Sequence, residues 1–403
     1  MTTKFEIIKN HIKKGSFADC FGKPNIRFLS TADLKKDVWM IQGAKGILAY
    51  HDLTKQIYNK FEQIKNNYTI RDVEKVLDSL IHDSLGQEKV SENEIVNKAK
   101  RQLSPKGIES FDILRNIYGI VLSKKYRKIG PFTFQKGENA YKHYFRGERP
   151  WKGYDIKKNI SSYVVRCHVK SATQDRALEI ADETFTTLEY LFAFILGNKH
   201  TGYEVRILRQ TKENRLFHLS KSESGNILGG NSRENSVHNE IDLNDPFFKK
   251  KKIRKLFSIV PARGLTQIES RLNKAVIWIG KGLASYSSIE SIISYCSALE
   301  ALLLRDPNAP IFTPSNVASL SECCAFFLGK KYSSRKEIAK KVNLIYKERS
   351  AGTHGGKVFA DPQLESTALE ISRHMVFRLL ELYPQRIETE KDLFEFVDRI
   401  KFS

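Results

Sequence analysis

Near its C-terminus the chain carries Tyr346-Lys-Glu-Arg-Ser-Ala-Gly-Thr-His-Gly-Gly356, in which four residues separate Arg349 from His354. Arginine is a permanent cation with a planar fork of donors, and histidine exchanges its proton nearest neutral pH. Side by side, the two types can hold an anion and move a proton next to it. The residues alone leave other roles open: His354 could cap a helix, and Arg349 could pair with Glu348 or Glu300. Gly352, Gly355 and Gly356 allow the backbone to tighten, so the stretch is expected to connect two helices with both side chains near the surface.

The elements that must position this stretch are helical. Apolar residues recur at helical spacing over Leu265 to Ile279, Ser287 to Leu304, Val317 to Leu328, Arg335 to Tyr346 and Leu364 to Tyr383. Ser287 or Ser288 is available to cap the second. Pro307 and Pro310 end it, Gly329 closes the third, and Pro384 stops the last. Five amphipathic helices on short connections predict an all-α bundle over residues 261–384, with 385–403 as a helical tail. The fold class expected for the whole chain is multidomain, α plus mixed α/β.

Upstream, residues 1–125 read as a mainly helical region, with Leu53, Ile57, Phe61 and Ile64 on one stripe, Val73, Val76, Leu77 and Leu80 on another, and Asp52 and Thr69 as caps. Residues 126–260 read as a small mixed α/β domain. Ile129 to Phe134 and Tyr163 to Val169 have strand character, as do the shorter pieces Tyr203 to Leu208 and Leu216 to Leu219. A core helix is expected over Asp175 to Leu196, and a long loop over Ser222 to Asn244. The stretch 142–152, with Tyr144, Phe145, Arg146, Arg149 and Trp151, interleaves aromatic and basic groups; a packed surface loop is its ordinary reading and contact with a nucleic acid the alternative.

Lys and Arg number 67 against 46 Asp and Glu, a formal charge of +21, which favours polyanionic partners. Only 19 of the basic residues, against 16 of the acidic ones, lie from Gly264 onward, so most of the excess is upstream. Its densest run spans Phe247 to Phe257, with Lys249, Lys250, Lys251, Lys252, Arg254 and Lys255. The run is either a solvated helix face or a rail for phosphates. Five cysteines without a Cys-x2-Cys pair fit reduced core thiols better than a zinc site or disulfides. No carboxylate cluster has two-metal spacing, so neither a metal nor another cofactor is expected. The N-terminus lacks an apolar h-region, and no apolar run reaches membrane-spanning length; a cytoplasmic protein without membrane contact is expected.

The stretches Ser287-Ser-Ile-Glu-Ser-Ile-Ile-Ser-Tyr-Cys-Ser-Ala-Leu-Glu-Ala-Leu-Leu-Leu304, Ser334-Arg-Lys-Glu-Ile338 and Tyr346 to Gly355 resemble the HEPN superfamily of ribonuclease domains, in its Apea-like branch. The family signature is Arg, four to six residues, then His, matched by Arg349 and His354. Ser350 departs from the Asn common after the Arg. The resemblance covers some 120 to 140 residues of the 403. It implies an HEPN-like helical bundle and metal-independent RNA cleavage, with the 2′-hydroxyl as nucleophile and 2′,3′-cyclic phosphate and 5′-hydroxyl ends as products. It also implies a homodimer that sets both Arg349 and both His354 in one cleft. Glu300 falls where such domains carry an acidic group, and Ser350 and Tyr346 are candidate helpers. Lys340, Lys341 and Lys347 are placed to attract RNA. An anti-phage or toxin-type effector, with a phage-derived trigger or regulatory protein as a further partner, is the setting this implies. The competing expectations are a non-catalytic nucleic-acid-binding or dimerisation module and a DNA-acting nuclease.

Overall fold

The computed structural model describes all residues except 1, 17–24, 30–36, 86, 88–89, 105–106, 145–159, 198–202, 209–217, 223–226, 231–238, 263, 286, 305–315 and 403. In chain order the elements begin with α1 (Lys4–Asn10), β1 (Ile12–Ser16), β2 (Ile26–Phe28), β3 (Asp37–Gln42), α2 (Ala44–Lys60), α3 (Glu62–Asn67), α4 (Ile70–Asp83) and α5 (Glu92–Gln102). Next come β4 (Glu109–Asn116), β5 (Ile120–Val121), β6 (Tyr126–Ile129), β7 (Phe132–Lys136), α6 (Gly137–Tyr144), β8 (Tyr163–Ser171), α7 (Gln174–Leu196), β9 (His218–Ser222), β10 (Ile227–Gly230) and β11 (Ile241–Asp242). A 3-10 turn over Pro246–Lys249 leads into α8 (Lys251–Ile259), α9 (Gln267–Ala284), α10 (Ser288–Leu303), α11 (Asn316–Leu328), α12 (Tyr332–Gly355), α13 (Pro362–Leu382) and α14 (Glu390–Phe402). The chain is thus multidomain, predominantly helical with small sheets.

It divides into two compact units. The first comprises Met1–Ile113, His168–Ala181 and Ser220–Ile227, and the second the remainder. In the first unit α1, α2, α4 and α5 bury Phe5, Ile8, Leu53, Ile57, Leu77, Ile81, Ile95 and Val96 in one core. Thr69 caps α4 reciprocally with Asp72, as its position before the apolar stripe predicts. Asp52 does not cap: it lies inside α2, whose N-cap is Gly43 at φ 91°. The antiparallel sheet β1-β3-β2 is absent from the sequence reading, because strands of three to six residues with adjacent lysines give no sustained alternation.

The six-stranded sheet has the order β10-β9-β4-β8-β7-β6, and β11 pairs with β5 in parallel. The expected strands at Ile129–Phe134 and Tyr163–Val169 are present as parts of β6, β7 and β8. Tyr203 to Leu208 contributes only isolated bridges, while His218 and Leu219 open β9. The core helix is α7, with Phe185, Leu188, Leu191 and Phe192 fully buried. On its inner side Phe192 meets Phe134, Phe248 and Phe257, ring centroids 6.1, 6.5 and 5.5 Å away.

The C-terminal helices α9 to α14 form an all-α assembly around α10, which packs against α9, α11, α12 and α13. Its central position explains why α10 is apolar nearly all round. Ile292, Tyr295, Cys296, Leu299 and Leu302 are fully buried, each apolar side chain worth about 1.5–3 kcal/mol. Ser287 is its cap. Tight approach is set by glycine at Gly280, where a Cβ would lie 2.5 Å from the Tyr190 carbonyl oxygen and 2.6 Å from its Cα. Pro307 and Pro310, Cys20, and most of the aromatic-basic stretch 142–152, including Phe145, Arg146, Arg149 and Trp151, lie outside the described residues. Cys167, Cys296, Cys323 and Cys324 are buried free thiols. No helix among the described residues is long and apolar enough to cross a membrane.

Candidate active site on α12

The Arg349 to His354 stretch is helix, not a connecting turn. α12 begins at Tyr332 and runs unbroken through Gly352 to Gly355, ending at Gly356 in the left-handed conformation (φ 67°). Packing explains why Gly352 does not break it: this glycine sits against Ile289 of α10, and a Cβ would fall 2.3 Å from Ile289 Cγ1. The helix-weakening effect of glycine, about 1 kcal/mol, is offset by that close contact. Because the obstacle is Cγ1 of the buried Ile289, with its Cδ1 at 2.6 Å as well, the isoleucine must change rotamer, and Gly352→Ala should cost about 1 kcal/mol despite the propensity gain. A thermal melt checks this, and a stabilised variant would contradict it.

Helical geometry then decides which residues meet. Tyr346 and Arg349, three apart, share a face and point toward α10. The Arg349 Nη2 lies 3.4 Å from Glu300 Oε1, and its guanidinium carbon lies 5.9 Å from the Tyr346 ring centroid. The Tyr346 hydroxyl, placed to donate to Glu300 Oε1 and to the Cys296 carbonyl oxygen, is 3.3 Å from each. Burial, reinforced by Cys296 and Glu300, raises the Tyr346 phenol far above its usual range, so it stays protonated and serves as a donor. Burial likewise raises the Cys296 thiol, which rules it out as a ready nucleophile. The Arg349 Nε is buried without a hydrogen-bond partner, while the side chain as a whole keeps 31% of its surface exposed. The cation is therefore held by Glu300 and still reaches solvent.

His354 lies elsewhere on the same helix. Five residues correspond to roughly 140° of rotation and about 7.5 Å of rise, so its exposed imidazole does not share the Arg349 face. It aligns with Lys347 and Lys340, spaced by seven, on an exposed stripe. Ser350 is exposed as well, and Lys341 is exposed but paired with Glu337 at 2.7 Å. Within one chain, then, Arg349, Tyr346 and Glu300 come together; His354, Lys340 and Lys347 form a second group. Glu348 pairs not with Arg349 but with Lys357 at 2.5 Å. The Lys357 amide also donates to the Ala351 carbonyl oxygen, so this residue ties down the end of α12. Neither the Cys296 carbonyl nor Lys357 was marked by any spacing in the sequence.

The basic run is part structural. Ile253, Leu256 and Phe257 bury one side of α8. Lys252 pairs with Glu381, and Lys255 donates to the Tyr383 carbonyl oxygen at 2.8 Å with its ammonium over the Tyr383 ring, fixing α8 to the end of α13. Lys249, Lys250, Lys251 and Arg254 remain exposed. If they contact RNA, Lys251→Gln with Arg254→Gln should lower the salt slope of binding by about 1.4, at about 0.7 per contact on a single strand. Lys252→Gln with Lys255→Gln should leave that slope unchanged, which a titration of affinity against salt would show.

Among the described residues no three His, Cys, Asp or Glu side chains converge to hold a metal ion. Comparison with protein-family models, with curated proteins and with solved structures finds no match for this chain.

Proposed function

We propose that this chain is a metal-independent RNA endonuclease of the HEPN type, with Arg349 and His354 as its catalytic residues. The observation that carries the reading is a solvent-reaching arginine held by Glu300 beside a buried tyrosine donor, on the helix that also presents an exposed histidine. RNA supplies its own nucleophile in the 2′-hydroxyl. An imidazole can take that proton or return one to the departing 5′-oxygen, and an arginine can stabilise the charge that builds on the phosphoryl oxygens. To do so Arg349 exchanges its single carboxylate contact for a phosphate. The products are a 2′,3′-cyclic phosphate and a 5′-hydroxyl.

The rotation between the two residues supports a two-chain site, in which Arg349 of one protomer works with His354 of its partner in a homodimer. Such an enzyme fits an anti-phage or toxin-type effector in the cytoplasm, kept quiet until a phage-derived trigger or a regulatory protein acts. Incubating wild type and His354→Ala with total RNA in chelator, and mapping the ends, tests the reading. Cyclic phosphate ends from wild type alone support it; equal cleavage by the variant sinks it. The separation of Arg349 from His354 within one chain also favours a second reading, a non-catalytic nucleic-acid-binding or dimerisation module. That reading predicts salt-dependent binding with no cleavage.

A further inference from the structure

Outside this site, α9 carries an exposed stripe made of Gln267, Lys274, Trp278 and Lys281. At 100° per residue Lys274, Trp278 and Lys281 fall within roughly 60° of one another, and the lysines lie about 10 Å apart along the axis. Trp278 is 37% exposed, and the Lys281 ammonium lies over its ring at 4.6 Å from the centroid. Among the described residues neither Lys274 nor Lys281 is engaged by a carboxylate, and none of the stripe positions is acidic. An indole at the surface, its ring covered by the Lys281 ammonium until that side chain turns to a phosphate, and flanked by Lys274, combines the two parts of a single-strand site: a flat π-face for a base and cations for the phosphates beside it.

We propose that the Lys274–Trp278–Lys281 face of α9 is a binding platform for single-stranded nucleic acid, with one base stacked on Trp278 and the flanking phosphates on the two lysines. The complementarity is of charge and of ring shape together. Charge alone would accept any polyanion, whereas stacking demands an unpaired base. A duplex keeps its bases stacked on each other and gains only the lysine contacts. The platform reads no sequence, since every base offers a π-face. It does not depend on cleavage, because a deoxy strand offers the same bases and phosphates.

The test uses the full chain with a fluorescently labelled oligodeoxythymidine, a 2′-O-methyl oligouridine that lacks the internal nucleophile, and a DNA duplex, in chelator, following anisotropy across a salt series. Trp278→Ala should weaken binding of both single strands roughly tenfold to a hundredfold, while Trp278→Phe, which keeps a ring, recovers most of the affinity. Lys274→Gln with Lys281→Gln should reduce the salt slope by about 1.4. The deoxy strand separates this result from the nuclease reading: it lacks the 2′-hydroxyl nucleophile, and adding Trp278→Ala to a chain that already carries Arg349→Ala or His354→Ala should weaken its binding by the same factor as in wild type. Circular dichroism verifies that each variant is folded, and Trp278→Phe serves as the measure if Trp278→Ala is not. The proposal is overturned by affinity unchanged within about twofold in Trp278→Ala, by equal loss in Trp278→Phe and Trp278→Ala, by a duplex bound as tightly as the single strand, or by polyglutamate competing as well as unlabelled oligonucleotide.

Discussion

Chains carrying Arg349→Ala and chains carrying His354→Ala are each expected to lose RNA cleavage by two to four orders of magnitude, roughly the contribution of a positioned proton-transfer group or charge stabiliser. Mixed together and allowed to exchange subunits, they should regain activity. The reason is geometric. On one helix the two side chains are separated by roughly 140°, so the partner for Arg349 is most readily supplied by His354 of a second protomer. In a mixed dimer one Arg–His pairing is complete and the other lacks both members. Random assortment of equal amounts makes about half the dimers mixed, so recovery should be on the order of a quarter of the wild-type rate in a two-fold arrangement. Failure to recover when pull-down shows that mixed dimers have formed would remove the two-chain site. Undiminished cleavage by either single variant would remove the assignment of that residue.

The second large effect concerns stability. Gly280→Ala should destabilise the C-terminal helices by about 2 kcal/mol, although alanine is the better helix former by about 1 kcal/mol. The added methyl would sit 2.5 Å from the Tyr190 carbonyl oxygen and 2.6 Å from its Cα, and backbone cannot rotate aside. Either α9 or α7 must move as a body, with losses at every contact they make, and overpacking of this kind costs about 1–3 kcal/mol or more. The measurement is the denaturant midpoint of the transition that reports the helical region, compared with Gly352→Ala as the glycine whose neighbour is a side chain and not backbone. If the two variants melt alike, backbone approach is not what fixes Gly280.

The helical faces were legible because they rest on local periodicity. Apolar spacing marked stripes over Ser287 to Leu304 and Leu364 to Tyr383, and in those stripes Ile292, Cys296, Leu299 and Leu303 of α10 and Val376 and Leu380 of α13 are buried, while Ile293, Leu369 and Phe377 are half-buried. Thr69 and Ser287 were legible as caps for the same reason, since a hydroxyl just before an apolar stripe has a local partner. What escaped depends on tertiary contact. Three glycines suggested that the chain turns after Tyr346, yet α12 continues to Gly355, because one of them fits under Ile289, more than sixty residues earlier in the chain. That continuation carries Arg349 and His354 to different sides, which no motif match reveals. Glu300 was anticipated as one of two partners for Arg349, and contact across α10 and α12 is what selects it over Glu348. The sheet β1-β3-β2 escaped for a different reason: its strands are too short for a period of two to be seen.

The uninterrupted run of α12 also sets its polarity. Peptide dipoles aligned along a helix leave the equivalent of about half a negative charge at the carboxyl end, and the last carbonyls point outward there. Of these, the Ala351 carbonyl is satisfied by the amides of Gly356 and Lys357. His354 and Arg349 stand in the last two turns, at the pole that repels phosphate, and backbone amides are not turned toward an incoming strand. A nucleotide brought here would have to be drawn in against the helix field by side chains alone, along the Lys340 and Lys347 stripe that ends at His354, with the countercharge supplied by an arginine from another face, as the two-chain proposal has it.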